Sequence, residues 1–224
     1  MTDKKETKKK NNLVEVVFIL DRSGSMSGLE KDTIGGFNSL LEKKKKEKAN
    51  ILWTTVLFDH YVEVLNEREP IEYVEPLDEN KYFVRGSTAL LDAVGSTISF
   101  ISGVHRRLNK EVRPDSTLFV ITTDGFENSS REYTYEKVSR LIEKEKKKHG
   151  WEFVFLGANM DAVEAAGRIG IDERHAARFH NDSEGIALNY ATVDCMMEDM
   201  ATKGKISEER IEEIRRDYAR RKKQ

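Results

Sequence analysis

Leu13 to Leu20 (LVEVVFIL) is a nearly unbroken run of β-branched and large apolar residues that stops abruptly at Asp21. A strand with one wet face alternates polar and apolar residues, whereas a run of this kind suits a strand covered on both faces. It is read as a central strand. Ile51 to Phe58 (ILWTTVLF), Thr117 to Thr122 (TLFVIT) and Trp151 to Leu156 (WEFVFL) are read as further strands. Between them the apolar residues recur at helical spacing. Ile34, Phe37, Leu40 and Leu41 lead into a basic run from Lys43 to Lys48, and Leu90, Leu91, Val94, Ile98 and Ile101 follow Gly86-Ser87-Thr88. A third helix runs from about Thr134 to Lys148 and closes at Gly150, a suitable C′ residue. Strands alternating with helices imply βαβ units with right-handed crossovers.

The expected architecture is therefore α/β: a Rossmann-like, doubly wound, mostly parallel sheet with helices on both faces. Tyr61 to Leu65 follows the second strand after only Asp59 and His60, so the two should form a tight hairpin with one antiparallel strand at the sheet edge. Ser27 and Glu30 have the spacing of a capping box for the first helix. Pro70 and Pro76 mark an irregular stretch. Later signals are weaker: a short helix from Asp161 to Gly167, a short strand from Ala176 to Phe179 and a helix from Ser183 to about Thr202. The last helix, Ser207 to Arg221, is charged almost all round, its apolar positions being Ile206, Ile211, Ile214, Tyr218 and Ala219. It is expected to dock weakly or lie free.

A chain of 224 residues with 38% hydrophobic content supports one such domain, over residues 13–202. A disordered basic tail over residues 1–12 and a charged helix or tail over residues 203–224 flank it. The tails carry +3 and +4 of a net −2, so the body carries −9. An acidic body argues against a nucleic-acid platform and is compatible with a cation site. No apolar segment follows the N-terminal charges, and no run approaches the roughly 20 apolar residues that cross a bilayer. The single cysteine, Cys195, cannot form an internal disulfide. A cytoplasmic protein without membrane contact is the expectation.

The chemistry concentrates where strands end. Asp21-Arg22-Ser23-Gly24-Ser25 sets a carboxylate and two hydroxyls on one turn directly after the central strand. Thr88 follows Gly86, and Asp124 follows the strand TLFVIT. Loops at the carboxyl ends of strands in an open parallel sheet converge at the switch point, where these three segments can meet. Oxygen donors without His or Cys suit a hard cation such as Mg²⁺ or Mn²⁺. His60, His105, His149, His175 and His180 lack the i, i+4 spacing of a helical zinc pair, which disfavours zinc. Taken as bland structure, Asp21 and Ser25 would cap a helix and Asp124 would start a turn.

With these residues in view the sequence resembles the von Willebrand factor A family, over residues 13 to about 180. The metal-ion-dependent adhesion site of that family is D-x-S-x-S, a threonine and a later aspartate, which fall here on Asp21, Ser23, Ser25, Thr88 and Asp124. The resemblance implies one divalent cation, Mg²⁺ or Mn²⁺, and a protein partner that completes its coordination with an Asp or Glu. In bacteria, small free-standing proteins of this type often accompany AAA+ ATPases or stress-response and tellurite-resistance systems. A bacterial cytoplasmic binding module with an AAA+ ATPase partner is thus the expectation by analogy, and no enzymatic activity is expected. Two rivals stand beside it. One is a Mg²⁺-dependent phosphate-ester hydrolase, weakened by Ser rather than Asp at position 23 and by the lack of a phosphate-binding glycine motif. The other is a nucleic-acid-associated scaffold acting through the basic tails. Asp59 is expected to serve the hairpin turn rather than the site, Asp92 to hold a water or loop amide, and Glu127 to be a solvated loop acid.

Overall fold

The structure, a computed structural model, describes residues 12–158 and 161–222. The N-terminal tail expected over residues 1–12 lies almost wholly outside the described residues. In chain order the elements are β1 (Val14–Asp21), α1 (Glu30–Lys46), β2 (Ile51–Phe58), β3 (Val62–Pro70), α2 (Leu90–Arg107) and β4 (Ser116–Thr123). They continue with α3 (Tyr135–His149), β5 (Glu152–Ala158), α4 (Ala162–Arg168), β6 (Ala176–Phe179), α5 (Ser183–Lys203) and α6 (Glu209–Arg221). The six strands form one sheet in the order β3-β2-β1-β4-β5-β6, parallel except for the antiparallel edge strand β3.

Every residue of β1 is buried, as its apolar run requires. Val14, Val16, Phe18 and Leu20 pack with Phe37, Leu40 and Leu41 of α1 and with Met196, Met197 and Met200 of α5. Val17 and Ile19 point to the other layer, with Leu90, Val94, Ile98 and Ile101 of α2 and Val138 and Ile142 of α3. Phe18 stacks on Trp53 at 4.7 Å between centroids, and Phe37 meets both rings edge-on at 5.6 and 5.4 Å. Such ring pairs contribute about 0.5–1.5 kcal/mol each beyond the area they bury.

Several local expectations need correction. Ser27 does not cap α1. A 3₁₀ turn, Gly24–Met26, intervenes, α1 begins at Glu30 after Leu29, and Glu30 accepts instead from the Gly28 amide at 2.7 Å. The loop needs this extra turn because Gly24 is tied elsewhere, its N–H donating to Gly86 O at 3.1 Å. Strand β3 extends well past Leu65 to Pro70. Its polar residues concealed it, being a partly exposed edge, and Pro70 is tolerated at such an edge because no ladder N–H is needed there. Register shifts opposite Trp53 and Thr55, with Arg68 at φ 49°, mark a bulge in this strand.

Helix α6 does not lie free. Ile211 and Ile214 are buried, and Arg210 engages Asp199 of α5 at 3.0 Å. Arg215 lays its guanidinium on the rim strand β6, donating to Ala176 O at 3.0 Å. Among the described residues no helix is long and apolar enough to cross a membrane.

The strand order reverses its winding between β1 and β4, and this opens a crevice at their carboxyl ends. In the ladder Leu20 faces Thr122, so Asp21 and Thr123 end their strands side by side, with Asp124 next in the chain.

Candidate metal centre

Asp21 is held at its post from three sides. Its Oδ1 accepts from the Ser23 amide at 2.6 Å and its Oδ2 from the Thr123 hydroxyl at 2.5 Å. The Tyr82 hydroxyl donates to the Asp21 carbonyl at 2.5 Å. Burial pushes the Asp21 carboxyl up to about 6, against the pull of the Thr123 and Ser23 hydrogen bonds. A carboxylate this costly to ionise calls for a compensating positive charge.

The hydroxyls of the other loops gather beside it. Thr88 Oγ1 lies 3.0 Å from Ser23 Oγ, which lies 3.0 Å from Ser25 Oγ. Asp124 reaches the same place from the end of β4. Its Oδ1 is buried without a hydrogen-bond partner, while Oδ2 accepts from the Asn181 carboxamide at 3.2 Å. Burial raises the Asp124 carboxyl above its ordinary value, with Ser25 and Asn181 opposing. Asp21, Ser23, Thr88 and Asp124 are buried, and Ser25 is exposed, so the cluster opens to solvent on the Ser25 side.

The shape of this cradle fits a small hard ion. A Cβ added to Gly125 would come within 2.7 Å of Thr88 Oγ1, 2.9 Å of Ser25 Oγ and 3.4 Å of Ser23 Oγ, so the three oxygens converge on space that a side chain would fill. Neighbouring ligands in an octahedron with bonds of about 2.1 Å are separated by about 3.0 Å. The hydroxyl pairs already have that spacing, held by the hydrogen bonds they make with one another. An unpaired carboxylate oxygen, a second carboxylate and three neutral hydroxyls form an all-oxygen set suited to Mg²⁺ or Mn²⁺.

The walls are built by residues that carry no metal signature. Asp92 accepts from the amides of Arg131, Glu132 and Tyr133 at 2.8–2.9 Å, the loop-amide role expected of it. Glu127 is not merely solvated: it accepts from the amides of Leu91, Ser129 and Ser130 and fastens the loop after β4 to the start of α2. Asn128 receives the Thr88 amide at 2.9 Å. Asp59 does serve the hairpin turn, accepting from the Tyr61 amide at 2.8 Å. Its other oxygen accepts from Arg22 at 2.9 Å and from Arg85 at 2.8 Å, and its carbonyl accepts from the Ala89 amide at 2.8 Å. Burial would raise its carboxyl, but the bonds from Arg85, Tyr61 and Arg22 outweigh burial and hold it below the ordinary value. Asp59 thus ties the Asp21 loop to the Thr88 loop. Gly86, at φ +65°, completes the joint, since a Cβ there would meet the His60 ring at 2.1 Å.

Another acidic group, Glu47, Asp194 and Glu198, has oxygens close enough to share an ion. Lys44 already sits among all three, 2.6 Å from Asp194, and Lys43 also engages Asp194, so these carboxylates are committed to ammonium groups.

No family model and no curated protein sequence matches the chain. Solved structures do. The vWF domain of the type V pili tip protein Mfa5 from Porphyromonas gingivalis is similar at 11% identity and a TM-score of 0.59, over 87% of this chain and 98% of that one. The ArnB paralog VWA2 from Sulfolobus acidocaldarius is similar at 20% identity and a TM-score of 0.51, over 82% of this chain. Proximal thread matrix protein 1 from the mussel byssus, with a zinc-occupied MIDAS motif, is similar at 15% identity and a TM-score of 0.50, over 85% of this chain. The protein spans under half of the latter two, 44% and 45% of their lengths. These likenesses establish the fold, that of a von Willebrand factor A domain.

Proposed function

We propose that the protein is a divalent-cation-dependent protein-binding module, in which Asp21, Ser23, Ser25, Thr88 and Asp124 hold one Mg²⁺ or Mn²⁺ and a partner supplies an Asp or Glu. The observation that carries this reading is the convergence of three hydroxyls on the space beside Gly125, with the buried carboxylates of Asp21 and Asp124 at adjoining strand ends and Asp124 Oδ1 left unpaired. When bound, the cation supplies positive charge to an exchangeable coordination position. Five side chains of which three are neutral leave room in a six-oxygen shell, and Mg²⁺ keeps waters readily. An incoming carboxylate would replace one of those waters at a partly desolvated mouth, a stronger contact than an exposed ion pair.

Binding rather than hydrolysis is the reading because the serines are engaged with each other and with Thr88, and among the described residues no histidine hydrogen-bonds to either. The zinc named for the mussel structure supports a divalent ion in this fold, and the all-oxygen donor set supports Mg²⁺ or Mn²⁺ here. A cytoplasmic address, supported by the unpaired Cys195, and an AAA+ ATPase partner complete the reading.

The test is Mn²⁺ titration calorimetry followed by partner capture from native extract. One Mn²⁺ per chain is expected, lost in Asp21→Ala, and capture in Mg²⁺ should disappear in EDTA and in Thr88→Ala. Unchanged Mn²⁺ binding by Asp21→Ala would remove the site.

A further inference from the structure

Asp124 is held by one side chain from a loop outside the motif. Asn181 lies between β6 and α5, and its Nδ2 donates to Asp124 Oδ2 at 3.2 Å. Two polar atoms around that contact are buried and unpaired, Asp124 Oδ1 and Asn181 Oδ1. An unpaired buried oxygen costs about 1–3 kcal/mol, so a residue that keeps one at a candidate site works against its own stability.

The loop bearing Asn181 is clamped on both sides by the last turns of α6. His180 stacks on Tyr218 with ring centroids 4.5 Å apart, and its Nε2 lies 3.1 Å from Tyr218 O. Arg221 forks onto Asp182, with Nη1 at 2.7 Å from Oδ2 and Nη2 at 3.2 Å from Oδ1, and its Nε is fixed by Asp217 at 3.0 Å. Asp182 in turn caps α5 through the Gly185 amide at 2.8 Å. Gly185 admits no side chain, since a Cβ would lie 2.1 Å from His180 O. The chain from Arg221 to Asp124 is continuous and has little slack.

We infer that Asn181 is a positioning residue of the metal centre, engaging one oxygen of Asp124 so that the other stays directed to the ion, and that α6 holds Asn181 in place. This rests on the metal-binding reading proposed above. Asn181 turns Asp124 through a single hydrogen bond; Tyr218 and Arg221 fix the backbone from which Asn181 reaches.

The wild-type chain and the variants Asn181→Leu, Asn181→Ala, Arg221→Ala and the double Asn181→Leu/Arg221→Ala are titrated with Mn²⁺ and melted without metal, with Asp21→Ala as control. Asn181→Leu should weaken Mn²⁺ binding by about tenfold or more, the usual effect of losing a partner that orients a ligand. Its metal-free melting temperature should change little, since losing the unpaired Asn181 Oδ1 offsets losing the bond to Asp124 Oδ2. Arg221→Ala should weaken Mn²⁺ by a smaller factor, and the double variant should bind no more weakly than Asn181→Leu, because Arg221 acts through Asn181. Wild-type Mn²⁺ affinity in Asn181→Leu and Asn181→Ala, with Asp21→Ala not binding, would overturn the inference and leave the site standing. A lowered melting temperature with unchanged affinity would overturn it equally, as a purely structural role. Retained binding in Asp21→Ala would remove the metal reading and this inference with it.

Discussion

Gly125 is the smallest residue in the cradle and the one whose replacement is most informative. A methyl group there would press on Thr88 Oγ1 and Ser25 Oγ, with Ser23 Oγ next at 3.4 Å. Gly125→Ala is therefore expected to abolish Mn²⁺ binding while shifting the metal-free melting temperature by only a few degrees, as read by calorimetry and thermal unfolding; wild-type affinity would show that the hydroxyls do not share an ion. That Asp21, Ser23, Ser25, Thr88 and Asp124 come together could be anticipated in the sequence, because each lies at a strand end or just ahead of a helix. Their support could not. Arg22 fills a variable place in the motif yet is fully buried against Asp59, and Asn181 lies 57 residues from Asp124 with no pattern around it. Contacts of that kind depend on how loops fold back, which local chemistry does not encode.

Helix α6 illustrates how charge can dock an element that its pattern leaves ambiguous. Asp199 accepts from Arg210, Lys203 and the Ser207 amide, and the Arg210 hydrogen bond leads in holding its carboxyl well below the ordinary range. A depressed carboxyl contributes stability that is fully present above its unfolded value, near about 4, and is lost as pH falls below that value. Protection factors of the α6 amides, corrected for the intrinsic pH dependence of exchange, should thus be high at pH 7 and fall below about pH 4, and Asp199→Asn should show the lowered protection already at pH 7. Equal exchange in the variant and wild type at pH 7 would contradict this. Elements buried on two faces, such as β1, β2, β4 and β5, were legible because burial on both faces selects mostly apolar runs, the buried Glu15 of β1 being held by Arg68 and His105. The antiparallel edge strand β3 was legible as far as Leu65, but its extension to Pro70 and the docking of α6 were not, since both present mostly polar residues whose partners come from elsewhere in the chain.

At the scale of the whole molecule, the cradle sits on loops above two continuous apolar layers that do not depend on it. Chelation should leave the far-ultraviolet circular dichroism unchanged at room temperature. Mg²⁺ at a hundredfold excess over its dissociation constant should add only about 2.7 kcal/mol through linkage. Global unfolding on adding EDTA would disprove this independence. The two rims of the sheet have a further consequence. An unguarded strand edge is a template on which another chain can add a strand and polymerise. On one rim the kink at Arg68, the charges of Glu63, Glu67 and Glu69 and the closing Pro70 spoil that template. On the other, the guanidinium of Arg215 already occupies the carbonyl of Ala176 that an added strand would need. The C-terminal helix therefore also acts as a stopper against self-templating, and a chain cut short before Arg215 would lose it.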